Sequence, residues 1–356
     1  MQQDRPVRRG RGVGHNPPNR FERLAYVPDA EADAEDDRPV RTEYLVDLSR
    51  NVVSTNNSPD IPFDASINPY RGCEHGCAYC YARPTHEYLG FSAGLDFESK
   101  IMVKRDAAER LRVTLRRRSW QPQVLALSGV TDAYQPVERK LRITRAVLEV
   151  LVEFRNPVHV VTKNHLVTRD ADLLGSLAEH QAANVGISIP SLDSGLTRRL
   201  EPRTSHPEKR LDAIRALHAA GVPVGVFVAP IIPGLNDLEI PTILERAAEA
   251  GARFASFVML RLPLAVAPIF VEWLETHLPE RKQRILSRVR DMRGGRLNAT
   301  GFGERMRGGG VYAEQIRKLF ELHARRLKLP KSGPSLNTAS FRRDGATQLG
   351  LFDDPH

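Results

Sequence analysis

The sequence predicts an α/β fold in which six strand–helix units form a partial (β/α)6 barrel. Two observations lead to this prediction: short segments rich in β-branched residues alternate with amphipathic segments of helical length, and turn residues separate them. Strands that alternate with helices form right-handed βαβ units and a parallel sheet. The predicted strands are residues 65–68, 124–128, 158–162, 185–189, 222–229 and 254–258. The predicted helices between them are residues 106–118, 137–154, 168–180, 208–220 and 238–250.

Composition divides the chain into four regions. Residues 1–41 combine arginines with an acidic run and offer little to bury, so we expect them to be disordered. Residues 42–260 hold the barrel, and residues 261–330 are a mainly helical extension. The extension has predicted helices at residues 267–277, 280–292 and 311–327. Residues 331–356 are rich in Ser, Gly, Thr and Asp and are predicted to form a flexible tail.

Charge and hydropathy limit the classes of function. No apolar run approaches the length needed to span a bilayer, and we expect a cytoplasmic protein whose thiols stay reduced. The net charge of +9 favours an anionic partner such as nucleic acid, although an arginine-rich proteome would give the same charge. The candidate contacts are the arginines near Gly308 and four on the first barrel helix: Arg112, Arg116, Arg117 and Arg118.

All three cysteines lie in one short stretch, with the spacing C-x3-C-x2-C: Cys73, Cys77 and Cys80. Three thiolates so close together can share one metal site. Gly72 and Gly76 would allow the backbone to wrap around that site, because glycine adopts conformations closed to other residues. A four-cysteine iron–sulfur site would need a fourth thiolate, which the chain lacks. A cubane on three thiolates keeps one iron open to a small molecule.

Two other roles for the cysteines remain open from the spacing alone. A Cys3His zinc knuckle would take His75 or His86 as the fourth ligand. Buried structural cysteines or disulfides are disfavoured, because the thiols are clustered and odd in number.

The motif C-x3-C-x-aromatic-C, with Tyr79 as the aromatic residue, resembles the signature of the radical S-adenosylmethionine (SAM) superfamily. The flanking words I-N-P-Y-R-G-C (residues 67–73) and C-Y-A-R (residues 80–83) resemble the spore-photoproduct-lyase-like, or "DNA repair photolyase", subgroup. The resemblance implies a TIM-like partial barrel of the radical SAM type, a 4Fe–4S cluster on the three cysteines, and SAM at the open iron. It also implies an electron donor such as flavodoxin or ferredoxin. Tyr79 would be an aromatic plate beside the open site.

Two strand ends carry polar side chains where parallel barrels place their function. Period-two alternation puts Ser188 and Gly186 on a small, polar face of the fourth strand. The same alternation puts Lys163 at the end of the third strand, where an inward ammonium is costly unless it meets an anion. The resemblance implies that Ser188 contacts the ribose of SAM and Lys163 its carboxylate. Two structural alternatives remain. Ser188 could be hydrogen-bonded inside the barrel without binding a ligand, and Lys163 could form an ion pair with Asp132 or Glu201.

The end of the second strand occupies the place of the superfamily's Gly-Gly-Glu motif. The chain has no Gly-Gly pair and no Glu there, but the backbone carbonyls of Ser128 and Gly129 could still bind the methionyl amine, and Asp132 could take the carboxylate's part. Residues 230–237 resemble the adenine-side loop, and they would equally make a rigid turn before a helix. Spore photoproduct lyases are thought to return a hydrogen atom through a further cysteine, which this chain lacks. Tyr134 is the candidate substitute.

The resulting hypothesis is a radical SAM enzyme that generates a 5′-deoxyadenosyl radical and acts on DNA, at a lesion or a modified base, as a lyase or repair enzyme. Radical modification of RNA or protein is the alternative within the enzyme class. The alternative outside it is a non-catalytic, metal-bound module that binds nucleic acid. The glycine-rich stretch of residues 294–310, with Arg296, Arg305 and Arg307, could hold a phosphate or be a surface loop.

The C-terminal tail contains Q-L-G-L-F, which resembles the pentapeptide that docks repair proteins on the bacterial sliding clamp. Leu351 and Phe352 would fill an apolar pocket, Leu349 would add contact, and Gln348 would hydrogen-bond nearby. Apolar residues in a polar tail favour such a role, although they could also anchor the tail on the barrel. This gives the bacterial sliding clamp as a candidate partner.

Overall fold

The computed structural model describes residue 8, residues 10–22 and residues 40–343. The strands are β1 (Glu43–Val46), β2 (Val53–Thr55), β3 (Ala65–Ile67), β4 (Tyr70–Arg71), β5 (Lys100–Val103), β6 (Leu125–Leu127), β7 (Val158–Thr162), β8 (Ala183–Ser188), β9 (Val224–Ile231) and β10 (Phe254–Met259). The α-helices are α1 (Asp96–Ser99), α2 (Ala107–Arg116), α3 (Glu138–Leu141), α4 (Ile143–Phe154), α5 (Ala171–Ala178), α6 (Ser194–Leu200), α7 (Pro207–Ala219), α8 (Ile240–Glu249), α9 (Val266–His277), α10 (Pro279–Asp291), α11 (Glu304–Arg307) and α12 (Gly310–Arg326). Short 3-10 helices span Arg83–Leu89, His165–Asp170 and Asp237–Glu239.

The main sheet has seven strands in the order β10-β9-β8-β7-β6-β3-β2. Six of them, from β3 to β10 without the short β4 and β5, pair in parallel in the order of the chain, and β2 pairs antiparallel with β3. Parallel neighbours in chain order, each joined by a crossover that contains helix, make the partial (β/α)6 barrel that the sequence predicts. The fold prediction is therefore confirmed.

Burial explains why these segments are strands. All six residues of β8 are buried, as expected for a central strand covered on both faces. The predicted helix 137–154 is instead two helices, because Arg142 has a left-handed backbone (φ 54°) between α3 and α4. Because the six strands are parallel, their carboxyl ends lie at one edge of the sheet, and the candidate site residues are found at that edge.

A second, three-stranded sheet in the order β1-β5-β4 is joined to the barrel by the chain between β3 and β4. Its register pairs Tyr70 with Val103 and Arg71 with Met102, so β4 is held just before the cysteines begin. The sequence did not predict β5. A four-residue strand that follows a one-turn helix gives too short a pattern to recognise.

The helical extension packs against the cysteine stretch rather than standing apart. Phe270 and Trp273 of α9 stack with ring centroids 5.9 Å apart. They belong to the same apolar cluster as Cys77 and Tyr79. Among the described helices, none is both long and apolar enough to cross a bilayer.

Residues 10–22, which lie in the region expected to be disordered, form an N-terminal strap packed on residues 87–98. The Arg11 guanidinium donates to Glu98 O (2.6 Å), Leu95 N donates to His15 O (3.0 Å), and Asn19 Nδ2 donates to Glu87 O (2.9 Å). The strap is held by polar groups that reach backbone atoms, so a rule based on apolar content could not find it. The expectation of disorder is wrong for these residues.

Residues 331–343, which lie in the predicted flexible tail, contact the barrel. Asn337 N donates to Gln181 O (2.9 Å), Arg342 N donates to Phe154 O (2.8 Å), and Phe341 stacks on Phe154 with centroids 6.2 Å apart. Residues 331–343 therefore pack on the barrel and are not a free tail. The motif at Gln348–Phe352 lies outside the described residues.

Candidate active site

The three cysteines lie on one loop, residues 72–81, which we call the cysteine loop. Cys73 and Cys77 are buried and Cys80 is partly buried, and all three are free thiols. Gly72 (φ 77°) and Gly76 (φ 66°) take left-handed conformations that a residue with a Cβ adopts only with strain. Burial raises the pKa of each thiol, and neighbouring cysteines raise the pKa of Cys73 and Cys77 further. The loop thus brings the three sulfur atoms into one small, buried region.

Buried polar side chains hold the backbone of the cysteine loop. Gln135, which has no exposed surface, donates through Nε2 to Gly72 O (3.2 Å) and accepts from Glu74 N (2.9 Å). On the other side the Arg83 guanidinium donates to Cys77 O (3.0 Å) and forms a fully buried ion pair with Glu98. These contacts replace the hydrogen bonds that a helix or sheet would have supplied to the loop.

His75 and His86 both lie near the cysteines, but His75 contacts other polar groups, and the ring nitrogens of His86 are buried without a hydrogen-bond partner among the described residues. His75 has Nδ1 3.4 Å from Asp132 Oδ2 and Nε2 3.2 Å from Asn164 Nδ2. Burial lowers its pKa against the opposing effect of Asp132. The His86 ring packs near the rings of Phe91 and Phe97, and burial lowers its pKa to about 4. In the described part of the chain, no three His, Cys, Asp or Glu side chains are arranged to hold a single metal ion, and neither histidine joins the cysteines in this structure.

Lys163 and Ser188, predicted to lie at neighbouring strand ends, are in contact. Lys163 Nζ donates to Ser188 Oγ (2.7 Å) and to Ala229 O (3.0 Å). It also lies 3.1 Å from Glu201 Oε1 and 5.7 Å from the ring centroid of Tyr79. The three strands β7, β8 and β9 therefore converge on one ammonium group beside the cysteine loop, and its counter-charge is Glu201.

Glu201, which the sequence indicated only as one possible ion-pair partner of Lys163, is the centre of a buried polar group. The Tyr79 hydroxyl and the Arg210 guanidinium both donate to its carboxylate. Burial acts to raise the pKa of Glu201, but the charges of Arg210 and Lys163 outweigh it and hold the pKa at about 2. Arg210 also donates to Ser188 O (2.9 Å), so the same network fixes the end of β8. Glu201 remains ionised at neutral pH and keeps Lys163 in place.

A family model described as the radical SAM superfamily matches residues 67–247, just over half of the chain. The chain belongs to the radical SAM superfamily. An uncharacterized protein of Mycobacterium tuberculosis is 37% identical over 238 residues, which are 66% of this chain and 69% of that protein. An uncharacterized protein of Methanocaldococcus jannaschii is 30% identical over 60% of this chain and 76% of its own length.

Solved structures agree on the fold of this radical SAM chain. Spore photoproduct lyase complexed with a dinucleoside spore photoproduct matches with a TM-score of 0.56 over 80% of this chain and 78% of that one. The sequence identity is 19%, so this match bears on the fold alone.

The cofactors of a radical SAM chain are a 4Fe–4S cluster and SAM, and the residues present fit both. Three thiols on one loop, two buried and one partly buried, supply three ligands. The chain has no further cysteine that could bind the fourth iron. A cubane is wider than one ion, so its three sulfur ligands do not converge as the ligands of a single metal would. Lys163 and Ser188 supply an ammonium and a hydroxyl beside that loop, which suit a carboxylate and a ribose.

The end of β6 provides backbone groups near the cysteine loop but not a free carboxylate. Ser128 has a left-handed backbone (φ 77°), and Gly129 O accepts a hydrogen bond from the Tyr81 hydroxyl (2.9 Å). The Asp132 carboxylate accepts from Thr162 Oγ1 (2.8 Å) and from Lys163 N (2.8 Å), besides facing His75. Asp132 thus fixes the start of the loop after β7, and a direct role toward SAM stays a prediction.

Tyr134 does not reach this site. It is fully buried in the main core, and the charged groups that act on its hydroxyl are Asp170, Arg169 and Glu138. None of these belongs to the cysteine loop or to the Lys163 network. The sequence placed Tyr134 beside the second strand correctly, but two residues after Asp132 the chain has already turned into the core.

Glu201→Gln is expected to lower the free energy of unfolding by about 3–5 kcal/mol, because it leaves the buried Arg210 without its counter-charge. The matched control is Glu208→Gln, which removes an exposed ion pair with Arg246 and should cost less than about 1 kcal/mol. Urea denaturation of the anaerobically prepared protein measures both. Equal losses in the two variants would show that Glu201 does not organise the site.

Proposed function

We propose that this radical SAM enzyme acts on DNA, at a lesion or a modified base, with a lyase or repair type of reaction. The observation that carries the proposal is the fold agreement with spore photoproduct lyase, whose structure holds a dinucleoside spore photoproduct. The net charge of +9 supports a polyanionic substrate. The three cysteines all lie in the cysteine loop, so a hydrogen atom cannot return to the product through a further cysteine of this chain.

The chain's own residues divide the work as follows. Cys73, Cys77 and Cys80 hold the cluster, which when bound supplies the electron for reductive cleavage of SAM. Lys163 would pair with the carboxylate of SAM, and Ser188 would hydrogen-bond its ribose. Because Lys163 also faces Glu201, whose pKa is held at about 2, the ammonium has to serve two carboxylates. Ala229 O and Ser188 Oγ keep it fixed while it does so.

Two further features belong to the proposal. Radical SAM enzymes use a one-electron donor, and a flavodoxin or ferredoxin in the cytoplasm would serve this chain. A cytoplasmic place also suits three free thiols that have to stay reduced to bind iron. RNA or protein modification is the alternative substrate class, and the non-catalytic nucleic-acid module is the alternative outside enzymes.

Anaerobic reconstitution is expected to give about four irons per chain. Dithionite with SAM should then yield 5′-deoxyadenosine.

Lys163→Met should raise the KM for SAM about 10-fold or more, because a charge-assisted contact is lost in a partly buried site. Lys209→Met, which removes an exposed lysine paired with Asp212, is the control and should leave the KM unchanged. Zinc in place of iron, or the same KM in both variants, would contradict these assignments.

Damaged or modified DNA is expected to raise the rate of 5′-deoxyadenosine formation more than RNA of the same sequence does. Liquid chromatography of the quenched reactions measures the nucleoside, with undamaged DNA as the control. Stimulation by RNA and not by DNA would favour the alternative substrate. DNA binding that survives Cys73→Ala, together with no SAM cleavage by the wild-type protein, would favour the non-catalytic module.

The bacterial sliding clamp is the proposed docking partner, through Gln348, Leu349, Leu351 and Phe352. Short motifs that order on binding give modest affinity, so a peptide of residues 344–356 should bind the clamp with a Kd on the order of micromolar. Calorimetric titration measures the affinity. The peptide with Leu351→Ala and Phe352→Ala is the control, and equal binding by both peptides would end the proposal.

A further inference from the structure

Arg261 lies at the mouth of the barrel, two residues after β10 ends. Its guanidinium carbon is 5.3 Å from the ring centroid of Tyr81, the residue that follows Cys80. The Tyr81 side chain is 46% exposed, and its hydroxyl donates to Gly129 O at the end of β6. The guanidinium group is therefore placed between the last barrel strand and the cysteine loop, on the edge where a substrate has to enter.

Among the described residues, few hydrogen-bond acceptors lie close to the guanidinium group of Arg261. Nη1 contacts the thioether sulfur of Met306 (3.3 Å), which is a weak acceptor. Nε is buried and has no hydrogen-bond partner, and within the described residues Arg261 forms no ion pair with a carboxylate. Burial lowers the pKa of Arg261, and the nearby charge of Arg305 lowers it further, against the raising effects of Tyr81 and Asp60. Asp60 acts on Arg261 only from a distance, because its direct ion pair is with Arg305. A half-buried guanidinium without a direct ion-pair partner costs free energy, which a bound anion would recover.

Two more arginines surround Arg261 on the stretch between α10 and α12. Arg305 is neutralised by Asp60, with Nε 2.5 Å from Oδ2. Arg293 is 2% exposed and donates to Glu304 O (2.6 Å) and Leu260 O (2.6 Å), and burial together with the nearby charge of Arg261 lowers its pKa. Neutralisation of Arg305 by Asp60 leaves an excess of positive charge at the mouth. The Lys163 site differs, because Glu201 already balances its ammonium.

We propose that Arg261, with Arg293 behind it, binds a phosphodiester group of the DNA strand that carries the target base. This inference rests on the proposed function and names the part of the substrate that the mouth recognises. A guanidinium presents paired N–H groups that match two phosphate oxygens. Tyr81 and Phe302 (65% exposed) place aromatic rings on either side of the arginines, since Arg305 lies over the Phe302 ring at 4.8 Å. Arginines interleaved with exposed aromatic rings are typical of surfaces that bind single-stranded nucleic acid.

The glycine-rich stretch of residues 294–310 then has a supporting role and does not itself bind the phosphate. Arg305 is used on Asp60 and Ser58, so it anchors the stretch to the turn before β3. The anchored stretch brings Met306 against Arg261 and Phe302 to the rim. The phosphate contact itself comes from the strand-end arginine.

The test is the affinity of the anaerobically reconstituted protein for a single-stranded DNA 12-mer, measured by fluorescence anisotropy over a series of salt concentrations. Arg261→Gln should weaken binding about 10-fold and reduce the slope of log K against log salt by about one. Arg261→Lys keeps the charge but loses the paired donors, so its affinity for the DNA should lie between those of the wild type and Arg261→Gln. Arg317→Gln removes an exposed arginine on α12 and should bind like the wild type.

Iron content and the thermal midpoint of unfolding show whether each variant is folded. If Arg261→Gln does not fold, the comparison of Arg261→Lys with the wild type still tests the site. Wild-type binding with no change in either Arg261 variant would overturn this site and leave the DNA proposal standing. Absence of wild-type binding even at low salt would overturn the DNA proposal and this site together. A loss in Arg317→Gln as large as in Arg261→Gln would reduce the effect to overall charge and also overturn the site.

Discussion

A buried loop without regular secondary structure must have its backbone and charges paired by the rest of the protein, and the cysteine loop imposes this requirement here. The loop has to be irregular, because three thiols within eight residues converge only if the chain turns back on itself. Gln135, Glu98 and Arg83 satisfy it from two sides, and each is 3% exposed or less. The burial of these three polar residues is therefore explained by the needs of the cysteine loop and not by the barrel.

The same requirement links the peripheral parts to the centre. The N-terminal strap reaches the loop through Gly12, whose amide donates to Glu98 Oε2 (3.0 Å). A Cβ on Gly12 would lie 1.6 Å from Gly76 O, so a glycine is needed where the two backbones meet. The helical extension reaches the loop through the apolar cluster that contains Cys77 and Phe270. Strap, extension and barrel each contact the cysteine loop, and each contributes to excluding water from it.

How far the sequence could predict this molecule depends on the range of each interaction. The six parallel strands follow from local patterns, and so does the meeting of Lys163 with Ser188, since neighbouring parallel strands end at one edge. Glu201 and Arg210 could not be assigned in this way. One follows α6, the other lies within α7, and no spacing rule indicates that both turn inward. The strap was missed because its few buried side chains, such as Arg11 and Asn19, are polar. Tyr134 follows the second strand as expected, but the short turn after Asp132 directs its side chain into the core, and a local pattern does not reveal such a turn.

We propose that the three thiols would hold a 4Fe–4S cluster and that Lys163 and Ser188 would bind SAM beside it. The most direct measurement is the EPR spectrum of the anaerobically reconstituted, dithionite-reduced protein, recorded without and with SAM. The signal of a reduced 4Fe–4S cluster, with g values that shift when SAM is added, is the predicted result. Lys163→Met should need more SAM for the same shift. A spectrum that saturating SAM leaves unchanged, or the absence of any such signal from iron-loaded protein, would contradict the claim.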